Sequence, residues 1–129
     1  MIKETIAPNA KTEMEYLKDG RILILRLHGF IKTEEMKRDM ALLNQTIEER
    51  GVQALLVNHH DAKVFSAEIQ SMIAQNRSAM GRKGVRKIAV ILPEDIFALA
   101  AIKKISHETP NIDVKTFQSE TDGLNWLRD

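Results

Sequence analysis

The stretch Asp19-Gly20-Arg21-Ile22-Leu23-Ile24-Leu25-Arg26-Leu27-His28-Gly29-Phe30 carries a turn, a strand and an exit in immediate succession. Asp19-Gly20 is a two-residue hairpin signal, because such turns need positive φ and glycine supplies it without steric cost. Residues 21–28 then read as a strand whose Ile22-Leu23-Ile24-Leu25 centre is apolar on both faces, the pattern of a strand covered on both sides. Gly29 frees the chain to swing into a helix. The stretch therefore predicts an antiparallel hairpin feeding strand–helix units.

Working outward, residues 12–18 supply the first strand, with Met14 and Tyr16 on one face. Residues 1–11 are polar, carry Pro8 and Asn9, and read as a loose lead-in. Downstream, Thr33 is placed to cap a helix with Glu34 and Glu35 in its first turn, where the helix dipole favours them. Met36, Met40, Leu43 and Ile47 then repeat as one buried stripe, and Gly51 stops the helix. Residues 52–57 make a third strand and residues 58–63 a polar loop. Ser66 is an N-cap for a second helix, with Ile69, Met72, Ile73 and Met80 facing inward. Residues 86–92 form a fourth strand, and residues 95–106 a third helix with Ile96, Phe97, Leu99, Ala100, Ile102 and Ile105 on a wide apolar face. Residues 112–117 form a short fifth strand, and Ser119 with Asp122 three residues on caps a last helix carrying Leu124, Trp126 and Leu127. Alternation of strands and helices implies parallel pairing with right-handed crossovers. The expected fold is α/β: a single domain over residues 12–129, with a mixed sheet of about five strands, an N-terminal antiparallel hairpin and four helices.

Composition narrows the function classes. A chain of 129 residues, 43% hydrophobic and 29% charged, suits one globular domain with a real core. The absence of cysteine excludes disulfides, cysteine-ligated zinc, iron–sulfur clusters and thiol catalysis, and fits a cytoplasmic home. Residues 1–12 lack the apolar core of a secretory signal, and no apolar run approaches the ~20 residues of a membrane span. A net charge of +1 gives no global attraction to nucleic acid or anionic lipid.

Each candidate site has a plain and a sharp reading. Asn58, His59, His60 and Asp61 form the densest group of possible ligands, on the edge where open α/β sheets tend to place their sites. A metal needs three or four converging ligands, and adjacent side chains on an extended segment point apart, so no metal site is expected. His28 and His107 lie too far away in sequence to be assigned to it. The group reads as a solvated interaction loop. Ser66 is a helix N-cap, or a regulatory hydroxyl whose phosphate the helix dipole would stabilise. No G-x-S-x-G elbow surrounds it, which argues against a nucleophile. Arg77, Arg82, Lys83, Arg86 and Lys87 concentrate positive charge with no acid between them, either as a solvated helix end or as an anion or partner patch. No aromatic residue interleaves them, and neither a Walker loop nor G-x-G-x-x-G is present. Met36, Met40, Met72 and Met80 with Phe97 are core, or the lining of an adaptable apolar pocket.

The hairpin-then-βα order, with the strand ending in His28-Gly29-Phe30 and a helix opening at Thr33-Glu34-Glu35, resembles the SpoIIAA-like proteins. These are relatives of the STAS domains of anti-sigma-factor antagonists and are similar in shape to the CRAL-TRIO lipid-carrier domain. Val85-Arg86-Lys87-Ile88-Ala89-Val90 resembles the family's basic-then-apolar strand, and Phe117 followed by Gly123-Leu124-Asn125-Trp126-Leu127 its closing strand and helix. The resemblance implies a mixed sheet with helices on it. For the antagonist branch it implies protein–protein switching through a phosphorylated serine after the third strand, where Ser66 is the nearest match. The antagonists carry Asp-Ser-(Ser/Thr)-Gly, whereas this chain has Phe65-Ser66-Ala67-Glu68.

The expectation is a non-enzymatic, bacterial, cytoplasmic protein-interaction domain, regulatory in the manner of such antagonists. No cofactor, nucleic acid or membrane span is expected, and the protein partner is unnamed. The alternative is a carrier or sensor of a small apolar, lipid-like ligand held between helices and sheet. An apolar first strand left at the sheet edge would support a homodimer.

Overall fold

The computed structural model describes residues 3–5, 11–105, 109 and 111–129, with the backbone alone for residues 3–5. Six strands form one sheet in chain order: β1 (Lys3–Thr5), β2 (Thr12–Leu17), β3 (Ile22–Gly29), β4 (Ala54–Ala62), β5 (Lys87–Ile91) and β6 (Asp113–Phe117). The first two pairings are antiparallel and the last three parallel. Four helices complete the chain: α1 (Thr33–Arg50), α2 (Ala67–Arg82), α3 (Ile96–Lys104) and α4 (Glu120–Leu127). The mixed sheet, its N-terminal hairpin and the four helices are those the sequence predicts.

Details differ where tertiary contacts intervene. The lead-in contributes β1, which pairs with β2, so β2 is flanked on both sides and is not the free edge on which a dimer was expected. The hairpin turn spans residues 18–21, and positive φ falls on Gly20 (87°) and Arg21 (52°) rather than on Asp19 and Gly20. In that conformation the Arg21 carbonyl accepts from the Gln53 and Ala54 N–H groups at the start of β4. Helix α1 begins at Thr33 itself. The preceding Lys32 N–H donates to the Glu35 carboxylate, which Lys11 also reaches, both at 3.0 Å. Gly51 ends α1 in the left-handed region at φ 62°.

Sheet order equal to chain order has a strong consequence. Successive parallel crossovers of one hand stepping in one direction put all their helices on the same face. Accordingly Leu23, Leu25, Leu27, Leu55, Ile88 and Val90 pack under α1, α2 and α3, with Met36, Leu43, Ile47, Ile69 and Ile102 from the helices. The other face, with Ile22, Ile24, Leu56, Ala89 and Ile91, is covered by α4 through Leu124, Trp126 and Leu127. Leu55 and Leu56 are both inaccessible and face opposite cores, each worth about 1.5–3 kcal/mol of burial. With eight residues, α4 reaches about 12 Å, well short of the nine-residue β4 beneath it. The upper half of that face, toward the C-terminal ends of the parallel strands, is therefore left open.

Candidate functional site

The open half-face is built by β3 and β4. The segment 58–63, expected as a loop, is mostly strand: β4 runs through Asn58, His59, His60 and Asp61 to Ala62. The polar residues are compatible with a strand because Asn58 meets only the first residue of α4, Glu120, and His60 and Asp61 lie beyond it, while His59 turns to the other, covered face and is buried. Pairing with β3 shifts register after Arg26↔Asn58, so that His28 faces Asp61 and two residues of β4 oppose Leu27. This β-bulge aims consecutive side chains to one side. It is why His60 and Asp61, expected to point apart, are in contact.

The result is an alternating row of carboxylates and imidazoles. Asp61 takes His28 Nδ1 on one carboxylate oxygen at 3.2 Å and His60 Nδ1 on the other at 3.1 Å. The far nitrogen of His60 meets Glu94 at 3.0 Å. The far nitrogen of His28 lies 3.4 Å from Glu13, at ion-pair distance without hydrogen-bond geometry. The hydrogen bond to Asp61, with help from Glu94, raises the His60 pKa, and its counterpart lowers that of Asp61. Below this row Arg26 is clamped by both oxygens of Glu120 (2.7 and 2.9 Å) and by Glu15 (2.8 Å). Asn58 donates to the same Glu120 at 2.6 Å. No group of three or more His, Asp or Glu side chains among the described residues converges on a point a metal could occupy. His107 lies outside the described residues.

Above the row, four apolar side chains stand in solvent at the ends of three strands. Phe30 follows β3, Val64 follows β4, and Ile96 and Phe97 open α3 after β5. Ile96 and Phe97 are each 73% exposed, so the expectation that they belong to the core is corrected: Ala98, Ala101 and Ile102 carry the buried face of α3 instead. The Asp95 side chain caps the helix by accepting from the Phe97 and Ala98 N–H groups, which points the first turn outward. The three turns are tied together. Lys63 N–H donates to Gly29 C=O at 3.0 Å, Glu94 N–H to His60 C=O at 3.2 Å, and the Lys63 ammonium reaches Asp95 at 3.5 Å. Phe30, Val64, Ile96 and Phe97 are therefore exposed on three adjoining turns, an apolar rim at this end of the sheet. Sequence reasoning placed none of them there. The one local signal was Phe30 directly after the strand-ending Gly29; Val64, Ile96 and Phe97 carried none.

Ser66 is exposed, and its hydroxyl accepts from the Ile69 N–H at 3.2 Å as the N-cap of α2. It sits two residues from Val64, beside the rim.

On the covered face, α1, α2 and the sheet enclose a cavity of about 50 Å³. Met36, Met40 and Met80 line it with Leu25, Val57 and Ile88. His59 enters it with Nδ1 buried and unpartnered, and desolvation together with the nearby Arg77 charge pushes its pKa down to about 3. Arg77 also lines this cavity and is only 5% exposed.

That position corrects the basic patch. Arg77 faces inward because the inner stripe of α2 runs Ile69, Arg77, Met80. Lys83 pairs with Glu48 at 2.7 Å. Arg86 donates to the Gly81 and Val85 carbonyls. Lys87 donates to the Trp126 and Asp129 carbonyls at the end of α4 and lies over the Trp126 ring. Arg82 is exposed. The run is thus distributed among helix ends, where cations are favoured, and does not make one surface.

No helix among the described residues is long and apolar enough to cross a membrane. Among curated proteins nothing matches. Among solved structures, the chain is similar to an uncharacterised protein of the DUF3478 family from Shewanella loihica PV-4, described as having a SpoIIAA-like fold. The two share 17% identity with a TM-score of 0.61, over 98% of this chain and 92% of that one. At that identity the likeness is one of fold. The SpoIIAA-like family model matches residues 22–128, from the start of β3 through the end of α4, and the chain belongs to the SpoIIAA-like family.

Proposed function

We propose that this protein is a non-enzymatic interaction domain that docks a protein partner through the apolar rim at the C-terminal edge of its sheet. The observation that carries the reading is the joint exposure of Phe30, Val64, Ile96 and Phe97 on three turns held together by hydrogen bonds. Large apolar side chains gathered at one place on a surface mark contact sites, and aromatic residues supply most contact energy. Charge favours a protein over a bilayer. The exposed Glu68 and Glu94 and the half-exposed Asp95 balance Lys32 and Lys63, whereas an anionic membrane selects a cationic surround. Ser66 lies where a phosphate would alter docking: it would gain the α2 N-terminus and bring about two negative charges next to Val64. A cytoplasmic setting suits that role.

The test is affinity capture with Phe30→Ser/Phe97→Ser beside the wild type, with thermal unfolding as the check on folding. Both residues are exposed, so stability should move by less than about 1 kcal/mol while specific partners are lost. Retention of the same partners by the folded variant would end the reading. Ser66→Asp and Ser66→Ala in the same experiment separate the switch from the dock. Equal capture by both removes the regulatory part alone.

A second reading, carriage of a small apolar ligand, is supported by the unpartnered His59 Nδ1 in a methionine-lined cavity. At about 50 Å³ the cavity holds little as it stands, so carriage requires α1 and α2 to part. Native mass spectrometry of the purified protein decides it: a stoichiometric adduct supports carriage, and a clean mass after incubation with fatty acids of several lengths refutes it.

A further inference from the structure

We propose that His60 is the keystone of a pH-operated clasp, which fastens the turn before α3 to the end of β4 when the imidazole is protonated and releases it when the imidazole is neutral. The argument begins with proton counting. A neutral imidazole carries one N–H and one lone pair, and an imidazolium carries two N–H donors. His60 presents both nitrogens to carboxylates, Asp61 at 3.1 Å and Glu94 at 3.0 Å. Only the imidazolium donates to both. In the neutral form one carboxylate faces a lone pair, and the contact becomes repulsive.

The surroundings sharpen this dependence. Asp61 is shared with His28, which in turn neighbours Glu13 on β2, so negative charge lies on both flanks of the row. The nearby cations are spent elsewhere. Arg26 on β3 is held by Glu15 and by Glu120 of α4, with Glu13 at 3.6 Å, and Lys63 is paired with Asp95 at 3.5 Å. Neutralising His60 therefore leaves Glu94 with no cation within ion-pair distance among the described residues. The raised pKa of His60 agrees with this geometry. The backbone bond from Glu94 N–H to His60 C=O at 3.2 Å and the Lys63–Asp95 ion pair at 3.5 Å then remain to hold the turn near the end of β4. The turn leads directly into Ile96 and Phe97, so releasing it loosens the first turn of α3 while both cores stay packed. The clasp stands whether or not the rim docks a partner. If it does dock one, mild acidity presets the rim's aromatic corner.

Amide hydrogen exchange read by NMR at about pH 6 and about pH 8, corrected for intrinsic rates, tests the clasp. The Glu94, Phe97 and Ala98 amides should lose protection several-fold at the higher pH, while amides of β3 and β5 hold theirs. In His60→Gln and in Glu94→Gln the dependence should vanish, and in Glu94→Gln the His60 ring should titrate at lower pH than in the wild type. Equal protection at the two pH values in the wild type overturns the proposal. So does a pH dependence that survives in His60→Gln. Both substitutions lie on exposed side chains and leave the cores untouched.

Discussion

His59 points between the helices and the sheet, and burial with the Arg77 charge keeps its imidazole neutral down to about pH 3. An unfolded histidine protonates near pH 6.5. Below that pH the unfolded chain takes up a proton that folded His59 refuses. Its contribution to stability is therefore full above about pH 6.5 and falls as pH drops toward 3, by up to about 1.4 kcal/mol per pH unit. We expect His59→Leu to lose less stability than the wild type between about pH 6.5 and 4.5, measured by urea midpoints. Parallel losses in the two proteins would show that His59 is not the acid-sensitive group. His60 has the opposite sign. Its folded pKa is raised, so its contribution is present below the unfolded value and is lost as pH rises through the folded one. Mild acid thus tightens the turn before α3 while it weakens the core one residue away.

Helix α4 covers the lower half of its face of the sheet, and Gly123 sets how closely it lies. A Cβ there would stand 3.0 Å from Ile91 Cδ1 and 3.1 Å from Leu56 Cδ1. Gly123→Val should cost about 1–3 kcal/mol by overpacking, seen as a lower Tm. It should also lift Glu120 from Arg26, seen as changed Arg26 side-chain NMR shifts. A variant as stable as the wild type would show that α4 floats on the sheet. The element itself was legible: Ser119 accepts from the Asp122 N–H as its spacing predicts, and Trp126 packs on Phe117 with ring centroids 5.6 Å apart. The upper half of β4 was not. His60 and Asp61 are polar because α4 stops short of them, and that depends on the length of α4, which lies some sixty residues further along the chain. Ile96 and Phe97 misled for the converse reason. Apolar periodicity says which residues suit a buried face, and the Asp95 cap turned these two outward.

Across the whole molecule, hairpin, parallel order and both cores followed from local pattern, because strands β3, β4 and β5 are apolar on both sides. The site depended on a bulge and on contacts between distant segments, such as Glu13 with His28 and His60 with Glu94, which periodicity does not encode. Stability rests on the two cores, and most ion pairs are more than a third exposed on at least one side. Raising NaCl from about 0.1 to about 1 M should therefore lower Tm by less than about 5 °C. A larger fall would mean that the Arg26 and His60 networks carry the fold. The shortness of α4 has one more consequence. Positions 28, 60 and 61 sit on rigid, well-paired strands beyond the reach of α4 and belong to neither core. Their chemistry can be rewritten without repacking an interior, so this half-face is a natural place to graft a new binding or catalytic constellation onto the scaffold.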